Sequence, residues 1–301
     1  PPKPGQTGRQ KPLSGMTSPG AWATMAEAPT RFPEESLPMH FALRAILLSS
    51  LAFGLVACGG PRRSAPAPQV AVQSARFDDA DPTEWPGRKP GSYPVHGIDI
   101  SRFESVVDWP TARAAGVNFA FIKATEGGDG ADPLFEVNWR GAAQAGVRRG
   151  AYHFFYHCRP ASEQARWFIA HVPRSPGALP PVLDMEWTPF SPTCTVRHSG
   201  AHVREEIAEY SAIIRAHYGQ SPIIYTTVDF YADTELWRLA QTEFWLRSVA
   251  THPAATFKGQ HWTFWQYTGT GLVPGIAGQV DINAFAGSER AWADWLAVRA
   301  P

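Results

Sequence analysis

From Val95 onward the chain alternates between short apolar runs with strand character and stretches with helical periodicity. That alternation limits the architectures open to it. Strand patterns fall at Val95–Ile100, Asn118–Lys123, Gly150–Tyr156, Pro181–Glu186, Pro222–Thr226, Phe244–Arg247, Trp262–Tyr267 and Val280–Ala284. Helical patterns fall at Trp109–Ala115, Asp132–Ala145, Ser162–His171, Val203–His217 and Glu289–Val298, with Ile207, Tyr210, Ile213 and Ile214 sharing one face of the fourth. Such alternation builds a parallel sheet covered by helices. About eight strands in this length predict closure into a (β/α) barrel. Helices are weak or missing between the later strands, so the expected class is α/β with an irregular TIM-like barrel. The competing fold, an open doubly wound sheet, carries a Gly-rich phosphate turn after its first strand; Ile98-Asp99-Ile100-Ser101-Arg102 is not one.

The barrel pattern occupies residues 95–301, and what precedes it has a different character. Residues 1–38 are rich in Pro, Gly, Ser and Thr without periodicity, and the chain opens on Pro rather than Met. They are expected to be a disordered or mis-called upstream extension. At Met39 a short segment bearing Arg44 leads into the apolar run Ala45–Gly54, too short for a comfortable membrane span. It ends in Leu55-Val56-Ala57-Cys58-Gly59-Gly60, which resembles the lipobox of bacterial lipoproteins. Residues 39–57 are therefore expected to be a signal peptide, and Cys58 the lipidated residue. Residues 58–94, rich in Pro, Ala and Gly, read as a flexible tether to the membrane. Gly59, where an Asp would favour inner-membrane retention, points to the periplasmic side of the outer membrane.

Lys plus Arg and Asp plus Glu both number 27, so the formal net charge is zero and no basic excess points to a nucleic-acid partner. Three cysteines show no C-x-x-C spacing, which argues against a zinc ribbon or a thioredoxin-type site. Cys158 and Cys194 are candidates for a disulfide in an oxidising compartment, the alternative being two separate buried thiols. No metal and no cofactor is expected, and the domain is expected to be monomeric.

The chemistry concentrates in carboxylates. In Asp184-Met185-Glu186-Trp187, strand alternation aims Asp184 and Glu186 the same way. Like charges that close raise at least one pKa, the condition a general acid needs. Asp99 and Asp281 also stand at strand ends, and barrel closure makes their strands neighbours. Four converging acids suit either a divalent cation or glycoside hydrolysis. Tyr152, Phe154, Trp187, Tyr225, Trp265 and Tyr267, on or beside strand ends, favour the second as walls that stack a sugar. About half of these rings are expected to fill the barrel instead. Lys123 and Glu126 read as a strand-end salt bridge, and His153 as a satisfied histidine facing the helix layer.

Five motifs occur in order: His96-Gly97-Ile98-Asp99-Ile100-Ser101, Phe121-Ile122-Lys123-Ala124-Thr125-Glu126-Gly127, Gly150-Ala151-Tyr152-His153-Phe154, Leu183-Asp184-Met185-Glu186 and Trp265-Gln266-Tyr267. Together they resemble the muramidase lysozymes of glycoside hydrolase family 25, over roughly Tyr93 to Trp295. The resemblance implies a (β/α)₅β₃ barrel that cuts the β-1,4 bond between N-acetylmuramic acid and N-acetylglucosamine in peptidoglycan. It implies Glu186 as general acid and Asp184 as its partner at the 2-acetamido group or as second catalytic carboxylate. Asp99 and Asp281 would hold the sugar and tune Glu186. An enzyme-linked and an acetamido-assisted intermediate both stay open. Arg247 departs from the pattern, where a small or polar residue is expected. A chitinase-like enzyme and a non-catalytic peptidoglycan-binding lipoprotein are the alternative readings.

Overall fold

A computed structural model describes residues 71–300. The expected extension, the signal segment and Cys58 lie outside the described residues. Strands β1 (Asp78–Asp79), β2 (His96–Ile100), β3 (Val117–Glu126), β4 (Gly130–Ala131), β5 (Arg148–Phe154), β6 (Val182–Met185), β7 (Ile223–Thr226), β8 (Phe244–Arg247), β9 (Phe264–Leu272) and β10 (Val280–Phe285) form one sheet. Strands β2, β3, β5, β6, β7, β8 and β9 pair in parallel in that order. β10 then runs antiparallel to both β9 and β2 and closes the barrel. The expected irregular TIM-like barrel is the fold observed.

The helices are α1 (Trp109–Ala115), α2 (Phe135–Gln144), α3 (Ala161–His171), α4 (Gly200–Tyr218), α5 (Val228–Asp233), α6 (Pro253–Thr256) and α7 (Glu289–Arg299). Their ends are written locally. Ser199 caps α4 by accepting from the His202 N–H, and Gly219 ends it at φ 79°, a left-handed conformation that glycine adopts without steric cost. The weak later helices of the sequence are the six-residue α5 and the four-residue α6. Among the described residues no helix is long and apolar enough to cross a membrane.

Strand alternation divides the core into two layers. Inward-facing Phe119, Phe121, Val182, Ile223, Trp245, Phe264 and Phe285 fill the barrel, with Trp292 of α7 packed against them. The Phe121 and Trp245 rings stack at 4.6 Å. Outward-facing Ile98, Ile122, Leu183, Met185, Ile224 and Leu246 pack with the helices. His153 lies in this outer layer as expected, bonded to Thr125 Oγ1 at 2.7 Å and Gln164 Oε1 at 3.0 Å. Burial pushes its pKa down to about 4, so the imidazole is neutral.

The tether expected over residues 58–94 needs correction, because residues 71–94 lie on the barrel. β1 pairs antiparallel with β9. Gln73 and Asn118 exchange two hydrogen bonds, from the Gln73 N–H at 2.8 Å and to the Gln73 carbonyl at 2.9 Å. The Trp85 ring meets Trp265 edge-on at 5.0 Å, and Tyr93 is buried. A segment whose Pro and Gly content reads as linker carries enough aromatic anchors, and finds enough backbone partners on an exposed strand edge, to order itself.

Gly97 lets β2 approach β3 closely where their register shifts: a Cβ there would sit 2.3 Å from the Phe119 carbonyl oxygen. Gly97→Ala is expected to cost about 1–3 kcal/mol by overpacking, read as a lowered urea midpoint with unchanged slope; an unchanged midpoint would show that the strands yield freely.

Candidate active site

Register carries the acids to one end of the barrel. On the antiparallel β2–β10 seam, Asp99 and Asp281 are directly opposed. Across the mouth, Asp184 on β6 lies between Phe154 on β5 and Tyr225 on β7. Glu186 follows Asp184 by two residues, just past the end of β6, and is less enclosed than the buried Asp184. The structure thus places the four expected acids on the inner face at one end of the barrel: Asp99, Asp184 and Glu186 at or just past the C-terminal ends of parallel strands, where barrel chemistry gathers, and Asp281 at the N-terminal end of antiparallel β10.

Asp99 is held most firmly. Its Oδ2 accepts from Gln266 Nε2 at 2.9 Å and Asn283 Nδ2 at 2.8 Å. Burial raises its pKa well above the usual carboxylate range, Asp281 raises it further, and the two amide donors pull the other way. Gln266 also accepts from the Tyr225 hydroxyl at 2.9 Å, and Asn283 accepts from Trp245 Nε1 at 2.7 Å. This buried amide network spans β7, β8, β9, β10 and β2. Gln266 and Asn283 are not among the acids and aromatics that the sequence singles out as candidates. Their signal was present: amides at inward positions of apolar strands, where an unpaired polar group is costly.

Asp184 and Glu186 form the second half. Burial raises Asp184 well above its usual range, and repulsion from Glu186 adds to it, while Lys123 opposes. Asp184 Oδ1 is buried without a hydrogen-bond partner among the described residues. Burial also raises Glu186; Asp229 adds to the rise, and the cations Arg247 and Lys123 resist it. The two carboxyls therefore titrate as a pair that retains a proton above the ordinary carboxylate range.

The six aromatic candidates separate by face. Tyr152, Phe154 and Tyr225 are on the acid-bearing inner face, and the phenols of Tyr152 and Tyr225 are held neutral by burial and by the surrounding carboxylates. Trp187, Trp265 and Tyr267, expected as sugar walls, point instead to the outer layer. Trp187 packs on His157 at 5.2 Å and Phe230 at 4.6 Å and donates to Asp233 at 2.9 Å. Trp265 is fully buried and donates to the Ser248 carbonyl at 2.7 Å, and Tyr267 bonds His96 at 3.0 Å. The reason is the period of two: a ring one residue from an inward Glu186 or Gln266 faces outward.

Supports behind the site follow the same logic. Lys123 and Glu126 form the expected ion pair, with the ammonium 4.7 Å from the Phe154 ring centroid. The structure pairs Cys158 with Cys194, their Cα atoms 5.7 Å apart, tying the segment after β5 to the loop that follows Glu186. His157, beside that bridge, lies 3.2 Å by Nε2 from the Glu186 carbonyl oxygen.

A barrel whose mouth gathers paired, proton-retaining carboxyls beside phenols has the groups that glycosidic bond cleavage requires. Comparison with known proteins agrees. The sequence profile of glycosyl hydrolases family 25 matches residues 98–276. Lysozyme M1 of Streptomyces globisporus is 36% identical over 205 residues, covering 64% of this chain and 68% of that protein. The solved family 25 glycosyl hydrolase of Bacillus anthracis superposes with a TM-score of 0.60 at 33% identity, covering 67% of this chain and 94% of that one. The bacterial lysozyme of Streptomyces coelicolor gives 0.60 at 35% identity, over 68% and 97%. The chain belongs to glycosyl hydrolases family 25, and it is a glycoside hydrolase.

Asp184→Asn removes a buried carboxyl whose folded-state pKa is raised. In the folded protein that carboxyl binds its proton more tightly than in the unfolded chain, so it destabilises progressively as pH rises past the unfolded value near 3.8. The variant is expected to match wild type in thermal stability near pH 3 and exceed it increasingly toward pH 7. Equal melting curves across that range would refute the raised pKa.

Proposed function

We propose that this protein is a peptidoglycan muramidase that hydrolyses the β-1,4 bond between N-acetylmuramic acid and N-acetylglucosamine. The observation that carries the reading is the Asp184–Glu186 pair opposite the Asp99–Asp281 seam, the pair buried enough to hold a proton above the ordinary carboxylate range. The lysozymes among its relatives support the substrate class.

Glu186 is the general acid. It is the member of the pair that a glycan strand reaches, because Asp184 is enclosed by β5 and β7. Its protonated carboxyl donates to the departing glycosidic oxygen while positive charge develops on the sugar ring. Asp184, one pleat deeper, stabilises that charge through the 2-acetamido group or directly. Asp99, oriented by Gln266 and Asn283, and Asp281 hold the sugar from the opposite side. Tyr152, Phe154 and Tyr225 supply the adjoining walls. The enzyme acts at the cell envelope, and the Leu55–Gly60 segment supports a lipid anchor on Cys58 with residues 39–57 as its signal peptide.

Glu186→Gln should lower release of dye from labelled peptidoglycan by roughly 10²–10⁴-fold with an unchanged far-UV spectrum; activity equal to wild type would remove Glu186 as the acid. Because the active form is protonated, wild-type kcat is expected to fall on the alkaline side with an apparent pKa above the ordinary 4.5 of a glutamate. A profile that rises through that region would instead make Glu186 a base.

A further inference from the structure

One cation at the barrel mouth has no role in the scheme above. Arg247 ends β8 on the same face as Trp245, which lies in the barrel interior. It is partly exposed, and among the described residues its guanidinium forms neither an ion pair nor a hydrogen bond. Lys123, also at the mouth, is already paired with Glu126.

Register fixes where Arg247 stands. Asp184 pairs with Tyr225, and Tyr225 with Trp245. Glu186 and Arg247 therefore each sit one pleat above the Tyr225 layer, with β7 between them. Two strand spacings separate them, roughly 10 Å between backbones. That gap matches a sugar ring plus a substituent. A guanidinium at this place reaches groups carried on the ring next to the bond that Glu186 protonates. Arg247 also acts on Glu186 directly, its charge favouring the ionised form and so opposing proton donation. A bound anion would cancel that opposition.

Resting on the muramidase reading, we infer that Arg247 is a specificity residue that takes a carboxylate carried by the glycan's own substituents. The planar, permanently charged fork suits bidentate binding of a carboxylate. Two sources share that chemistry in peptidoglycan: the lactyl carboxylate of strands without peptide, and the carboxylates of attached stem peptides.

The test measures kcat and KM of wild type, Arg247→Ala and Arg247→Lys on three forms of one glycan: with stem peptides, stripped of peptides to free the lactyl carboxylates, and stripped with those carboxylates amidated. Arg247→Ala is expected to raise KM about tenfold on carboxylate-bearing glycan, to erase the wild-type preference over the amidated form, and to leave Arg247→Lys intermediate. A KM effect confined to the stripped, unamidated glycan identifies the lactyl group as the source; one confined to stem-bearing glycan identifies the peptide, and one on both shows that Arg247 takes either carboxylate. An unchanged KM on every form overturns the assignment, as does a change confined to the pH dependence of kcat, which would make Arg247 only a tuner of Glu186. Wild type failing to cleave all three forms would instead overturn the muramidase reading, and this assignment with it.

Discussion

Closure of the barrel along the antiparallel β2–β10 seam is the constraint on which the site depends. It sets Asp281 opposite Asp99 and brings Asn283 and Gln266 within hydrogen-bonding distance of the Asp99 carboxylate. Without that seam, first and last strands would be sheet edges, and these acids would lie far apart. The amide network crossing it is fully buried and reaches through Tyr225 to the strand beside Asp184. One set of hydrogen bonds therefore ties the two halves of the mouth together. Half-satisfied, such a network would cost more than an apolar core.

Four acids in a buried mouth destabilise the fold, and the aromatic filling below them offsets that. Phe119, Phe121, Trp245, Phe264 and Phe285 form a continuous interior, extended by Trp292 of α7. Large rings interlocked at edge-on and stacked distances contribute more than their area alone. Asp99, Asp184 and Glu186 are left with raised pKa values chiefly because they are buried above that apolar floor. Lys123 and Arg247 moderate the effect without abolishing it. The same burial that costs stability keeps a proton on the pair above the ordinary carboxylate range.

The strands and helices of the barrel were legible because each repeats a local pattern. Predicted and observed bounds of the parallel strands differ by three residues or fewer except at the end of β9, which runs five residues further, and Phe244–Arg247 coincides. The acids were legible for a related reason, since a charged residue inside an apolar strand stands out. The aromatics were not. Trp187, Trp265 and Tyr267 have the residue types of a sugar wall, yet their parity along the strand sends them outward. Gln266 and Asn283 were overlooked because an amide acquires its role only from the group it meets. The ordering of residues 71–94 was hidden by composition, because its partners on β9 and the α1–β3 region come from distant parts of the chain.

By itself, the sequence determined the alternation of strand and helix, the period-two aim of Asp184 and Glu186, and the presence of acids on the first and last strands of the barrel. These are properties of a residue and its near neighbours along the backbone. Only the tertiary structure decided which acid is clamped by amides, which rings share the acid face, and that Arg247 ends the second strand over from the one that leads into Glu186. Those facts depend on inter-strand register and on closure. Both are set by packing between residues far apart in the chain, and no local pattern encodes them.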